Sequence, residues 1–138
     1  MDTELEQFKA ILKKNQRYVT KARIRLFTTL QNHPALAIKK LVWLLPEADR
    51  ATVYRNISVF AGLSIVSRLQ MGWNSKVELS DMFRYHHHHF TCLDCGKIMI
   101  LPENNSLEEQ INKLAKSKNF KQTDHQLEIR GLCSSCQA

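Results

Sequence analysis

Four cysteines constrain this chain more than any other feature, because they fall into two C-x-x-C pairs, Cys92 with Cys95 and Cys133 with Cys136. Thiolates at this spacing converge on one ion, and four of them complete the tetrahedral shell that zinc prefers. The 37 residues between the pairs exceed the gap of a zinc ribbon, so a small domain must fold between the two turns and bring them together. Two redox pairs, or an oxidised secreted fold, are the competing readings. The start, MDTELEQF, is acidic and polar and unlike a secretory signal peptide, which points to the cytoplasm, where paired cysteines favour zinc over disulfides.

The charge is uneven. Residues 1–83 hold 13 Lys/Arg against 7 Asp/Glu, whereas residues 84–138 hold 7 against 6. Seven basic residues and no acidic one lie between Lys9 and Arg25, and four basic and no acidic between Arg50 and Lys76. A basic first half suits a polyanion, nucleic acid or a membrane surface, although a solvated basic face gives the same count. No apolar run approaches the roughly 20 residues that span a bilayer, so an integral membrane protein is excluded.

Periodicity divides the first half into four helices. Leu5, Phe8, Ile11 and Leu12 predict a helix over about 3–15. Thr20 caps a second, with Ile24, Phe27 and Leu30 on one face, which His33-Pro34 ends. A third runs from about Ala35 to Leu45, stopped by Pro46. Asp49 or Ala51 opens a fourth, ended by Gly62. In that helix Val53, Ile57 and Phe60 lie within about 60° of one another. Arg55 points nearly opposite, flanked by Thr52 and Tyr54. The third and fourth helices read as a helix-turn-helix. The β-prone runs Leu63–Gln70 and Lys76–Leu79, separated by Met71-Gly72-Trp73-Asn74-Ser75, read as a hairpin, the wing of a winged helix.

Beyond Met82 the pattern changes. His86–Leu93 and Lys97–Leu101 predict strands turning at Asp94-Cys95-Gly96. Ser106-Leu107-Glu108-Glu109 reads as a capping box that starts a helix striped with Leu107, Ile111 and Leu114. Phe120–Arg130 alternates as a strand, with His125, Leu127 and Ile129 on one side. Four histidines run together as His86-His87-His88-His89. A cloning tag or a solvated strand end are the simpler explanations. In a strand, though, side chains alternate faces, so His86 and His88 point one way and His87 and His89 the other. One run of histidines can then serve two metal sites.

The order of basic helix, Ala51-Thr-Val-Tyr-Arg-Asn56, wing, histidine-rich strand, Cys92-Leu-Asp-Cys-Gly96 and Cys133-x-x-Cys136 resembles the ferric-uptake-regulator (Fur) family. The likeness runs from about Thr20 to Cys136. It implies a structural zinc on Cys92, Cys95, Cys133 and Cys136. It implies a sensing site between domains on His33, Glu78, His87 and His89, and a further site in the dimerisation domain on His86, His88, Glu108 and His125. Asp81 competes with Glu78 as the hinge ligand. Iron and peroxide sensors of the family often carry an acid where this chain has Ile100. The family's basic residue ahead of the second helix is here Tyr18, with Arg17 adjacent.

The expected fold is α+β: an N-terminal winged-helix DNA-binding domain over 1–83, then a small α/β dimerisation domain with zinc over 84–138. The expected function is a metal-responsive repressor, a homodimer on a double-stranded DNA operator, contacting it through Arg17, Tyr18, Thr52, Tyr54 and Arg55. The cofactors expected are a structural zinc and a regulatory divalent metal, zinc or iron. The rival classes are a His-rich metalloenzyme with Glu108 as general base, and a metal-buffering protein.

Overall fold

The computed structural model describes residues 2–71 and 74–137, and the chain divides into two compact units, Met1–Arg84 and Tyr85–Ala138. The tip of the expected hairpin, Gly72-Trp73, lies outside the described residues.

The first unit carries α1 (Thr3–Lys14), α2 (Lys21–Gln31), β1 (Leu36–Ala37), α3 (Ile38–Leu44), α4 (Arg50–Gly62), β2 (Val66–Met71) and β3 (Asn74–Leu79). Three helices start where a short polar side chain accepts a hydrogen bond from an otherwise unsatisfied backbone N–H. Asp2 accepts from Leu5, Thr20 from Arg23 and Asp49 from Thr52, the last at 2.7 Å. These capping bonds hold the carboxyls of Asp2 and Asp49 below their ordinary range. The core is aromatic. Phe8 of α1 stacks on Phe27 of α2 with ring centroids 4.3 Å apart, and Phe60 of α4 meets Phe8 edge-on at 5.2 Å. Phe83 closes the cluster against Phe27. Such ring pairs add about 0.5–1.5 kcal/mol each beyond area burial.

The expected third helix is shorter than its apolar pattern suggests. Leu36-Ala37 is extended and pairs with Val77 and Lys76 of β3, so the helix begins at Ile38. Ala37 offers no side-chain cap, and the backbone at 36–37 is satisfied by the sheet instead. The sheet has the order β1-β3-β2, with β2 and β3 antiparallel from Val66↔Leu79 to Met71↔Asn74.

The second unit holds β4 (His87–Cys92), β5 (Ile98–Pro102), α5 (Asn105–Ser117) and β6 (Glu128–Gly131). Its sheet runs β5-β4-β6, antiparallel on one side of β4 and parallel on the other. Two expectations change here. Asn104 is the cap of α5, accepting from the Leu107 N–H at 3.1 Å, while Ser106 lies inside the first turn. The strand expected over Phe120–Arg130 is confined to Glu128–Gly131, because the parallel pairing with β4 reaches only from His89↔Glu128 to Cys92↔Gly131. This unit has little apolar interior. No residue of α5 is fully buried, and Leu114 is 66% exposed.

Candidate metal centres and nucleic-acid interface

The parallel pairing of β4 with β6 sets the cysteine turns side by side. Leu93 N–H donates to the Gly131 carbonyl at 2.8 Å, one residue beyond Cys92 and two before Cys133. Each turn is closed by its own backbone bond, Gly96 N–H to the Cys92 carbonyl and Cys136 N–H to the Cys133 carbonyl. Gly96 sits at φ 78°, a left-handed conformation that L side chains rarely adopt, so the first turn depends on glycine there. The four sulfurs lie within 4.8 Å of one another, and Cys95 Sγ is 3.7 Å from Cys133 Sγ. A tetrahedron with Zn–S bonds of about 2.3 Å has edges of about 3.8 Å, so the thiols fit zinc. The Cys133 N–H donates to Cys92 Sγ at 3.4 Å. That bond, with a second from the Cys95 N–H, brings the Cys92 thiol down to about 6. Cys136 is pushed up, first by its hydrogen bond with Cys133 and then by burial. Crowded thiols that share protons in this way are the state from which a divalent cation displaces protons.

A second cluster forms at the other end of β4. His86 and His88, two residues apart and so on one face, have ring centroids 4.7 Å apart. Glu108, one turn into α5, receives both. His88 Nε2 lies 2.8 Å and His86 Nε2 3.3 Å from Oε1, and His125 Nε2 lies 2.7 Å from Oε2. His86 Nε2 and His125 Nε2 are 3.1 Å apart. Burial opposes ionisation of Glu108, yet the His88 hydrogen bond and the His125 and His86 imidazoles outweigh it and lower its pKa. His88 is 2% exposed. Three imidazole nitrogens and a carboxylate converging at these distances match the edges of a tetrahedral or larger divalent-metal shell with about 2.0–2.2 Å bonds.

On the opposite face of β4, His87 and His89 also have ring centroids 4.7 Å apart. His87 Nδ1 faces the Tyr85 carbonyl at 2.8 Å, which leaves Nε2 as its donor to an ion. In the first unit His33 Nδ1 faces the Thr29 carbonyl at 2.7 Å, with the same consequence. Glu78 is a buried residue of β3, whereas Asp81 is exposed in the turn that follows. Ile100 is the β5 partner of His89 and adds no donor.

The exposed face of α4 carries Ala51, Tyr54, Arg55 and Ser58, with Thr52 half-buried, while Val53, Ile57 and Phe60 are buried. Arg55 Nη2 donates to Thr52 Oγ1 at 3.2 Å, and the Arg50 guanidinium lies over the Tyr54 ring. Arg17 and Tyr18 are exposed in the segment before α2. Sequence reasoning missed what joins that segment to α4. Arg23 donates from Nε to Asn56 Oδ1 at 3.1 Å and from Nη1 to the Tyr18 carbonyl at 2.9 Å. Asn56 is buried, and a polar residue on the packing face of α4 was the available signal. Arg23→Ala leaves the Asn56 amide without this partner, so a loss of about 1–3 kcal/mol is expected. Denaturant unfolding of the purified variant measures it, and weaker operator binding should accompany it.

A family model described as the ferric uptake regulator family matches residues 14–130. The chain belongs to the ferric uptake regulator family. A ferric uptake regulation protein of Campylobacter upsaliensis is 33% identical, over 98% of this chain and 90% of its own length. The ferric uptake regulator of Vibrio cholerae, whose crystal structure shows rearranged DNA-binding domains, superposes with a TM-score of 0.76 at 28% identity, covering 91% of this chain and 98% of that one. The Helicobacter pylori ferric uptake regulator, a protein with three functional metal binding sites, gives a TM-score of 0.83 at 23% identity, covering 97% and 91%. As a family member the chain is a metal-responsive, DNA-binding regulator that acts as a dimer and uses zinc and a regulatory divalent metal. Family members are transcription regulators, and the metalloenzyme alternative is not supported. Both Glu108 oxygens are also engaged by histidines, which removes the free base that reading needs. Among the described residues, no helix is long and apolar enough to cross a membrane.

Proposed function

We propose that this chain represses transcription from a double-stranded operator in the cytoplasm when a divalent metal binds His33, Glu78, His87 and His89. The observation that carries the reading is the pairing, in one chain, of an exposed Tyr54-Arg55 helix face with thiol and imidazole clusters built on the next unit's sheet. Cys92, Cys95, Cys133 and Cys136 hold the structural zinc; His86, His88, Glu108 and His125 hold a further ion. His33 and Glu78 belong to the first unit and His87 and His89 to the second, so an ion bound by all four fixes the angle between the units. To swing a 1:99 equilibrium to 99:1 the metal must prefer the DNA-competent arrangement by about 5.5 kcal/mol. Three imidazoles and one carboxylate suit tetrahedral zinc better than octahedral iron.

Arg55 reads a guanine through two guanidinium donors, and Tyr54 and Thr52 contact thymine methyls, sugar or phosphate. Arg17, beside Tyr18, reaches the minor groove, and the Lys9–Arg25 cluster contacts phosphates, which set affinity without reading sequence. The homodimer reading is supported by Phe90, Met99 and Ile129, register partners that form an exposed apolar row across the second unit's sheet. Gel-shift titrations with and without added metal test the whole reading; binding that ignores metal would overturn it. Arg55→Ala should cost about 1–3 kcal/mol and relax preference at one base per half-site. Single-base operator variants check this.

A further inference from the structure

The His86, His88, Glu108 and His125 cluster is backed by two polar side chains that the reading above does not use. His125 Nδ1 lies 3.2 Å from Gln122 Oε1, and Gln122 Nε2 donates to Asn112 Oδ1. Asn112 is on α5, one turn beyond Glu108, and Gln122 is in the segment that follows the helix. The order of these bonds matters. An amide can turn either its oxygen or its nitrogen toward an imidazole, and the two ends demand opposite tautomers. With its nitrogen committed to Asn112, Gln122 presents only its oxygen to His125. Nδ1 then donates to Gln122, and Nε2, 2.7 Å from the Glu108 carboxylate and 3.1 Å from His86, is the nitrogen left to face a metal once the proton it shares with Glu108 is displaced.

We propose that Gln122 and Asn112 are positioning residues for this metal site, a two-amide relay that holds Nδ1 of His125 as the outward donor and sets the ring angle at which Nε2 meets a metal. Outer partners of ligating histidines ordinarily change metal affinity about 10–100-fold when removed. The relay also explains how a histidine outside any strand holds one orientation. Residues 124–127 have no ladder, so the ring is oriented from α5, by Glu108 at Nε2 and by the two amides at Nδ1. Because Asn112 and Glu108 stand on one helix four residues apart, α5 delivers both a ligand and the device that aims another. The inference rests on reading the cluster as a metal site.

The test titrates full-length, thiolate-zinc-loaded protein with cobalt(II), following ligand-field absorption, in a His89→Ala background that silences the other histidine face. Gln122→Leu keeps the bulk and removes the acceptor; a 10–100-fold weaker cobalt affinity and an altered absorption band are expected. Asn112→Ala, which frees the amide to turn, should weaken binding in the same direction by less. Gln122→Glu keeps an acceptor on Nδ1 and should restore native affinity. Melting of the zinc-loaded, cobalt-free variants should match their parent, which separates aiming from folding. His125→Ala serves as the reference. If it leaves cobalt binding unchanged, the cluster is no metal site and the inference falls with it. If His125→Ala abolishes binding while Gln122→Leu binds as the parent does, or if Gln122→Glu fails like Gln122→Leu, the relay alone is overturned.

Discussion

Replacing Cys92 or Cys133 with serine is expected to remove the thiolate-bound zinc and unfold the second unit while the first stays folded. The asymmetry follows from what each unit buries. The first has Phe8 in ring contact with both Phe27 and Phe60, with Leu12, Leu26, Leu30, Leu41 and Ile57 fully buried around them. Among the described residues of the second, Cys92 is the one buried apolar side chain, and α5 contributes none. A structural zinc then supplies folding free energy that packing does not, and binding energies of about 10–16 kcal/mol are typical for small zinc domains at neutral pH. Serine is a poor zinc ligand, and Cys92→Ser also loses the sulfur that accepts from the Cys133 N–H. Zinc content per chain, circular dichroism and size-exclusion chromatography check the result. A stable, zinc-free dimer from either variant would contradict it. Acid should mimic the substitution, because protons compete with zinc for the thiolates. Cys92, held at about 6 by the Cys133 and Cys95 N–H groups, takes up its proton late as pH falls, whereas Cys136 is the readiest to hold one.

Periodic and chemically singular features were readable from residues alone. The α4 stripe of Val53, Ile57 and Phe60 is buried as its spacing requires, because a 3.6-residue period leaves no second way to pack that helix. The two-residue period of a strand divides the histidine run, and the rings meet as His86 with His88 and His87 with His89. Where alternatives were close in energy, local reading failed. Asn104 and Ser106 are both good caps, and only the backbone path after Pro102 decides between them. Leu36-Ala37 carries no local preference strong enough to overcome pairing with β3. The alternation from Phe120 to His125 is not a strand, since β4 is too short to pair it and Gln122 serves His125 instead. Long-range polar links, Arg23 to Asn56 above all, leave no periodic trace, because 33 residues separate the partners.

The histidine run also sets the second large expectation. His87→Ala and His33→Ala should each abolish metal-dependent operator binding, and by the same amount. Each takes one imidazole from His33, Glu78, His87 and His89, the set proposed to hold the regulatory ion. With three donors left the ion is held more weakly, and the differential affinity proposed to drive repression is lost. His86→Ala and His125→Ala should form a different pair. Their rings meet at 4.7 Å around Glu108, inside the second unit, so their loss is felt first in that unit's melting temperature and only weakly in DNA binding. The physical basis is strand geometry: adjacent residues of a strand reach opposite faces unless the strand bulges, and β4 pairs in register from His87↔Pro102 to Thr91↔Ile98 without one. Operator affinity of the four variants across a metal titration, beside their melting curves, decides the matter. If His86→Ala behaves like His33→Ala while His87→Ala behaves like His125→Ala, the faces have been assigned in reverse. If all four lose metal-dependent binding equally, the run serves one site, and the two faces of β4 do not carry separate ions.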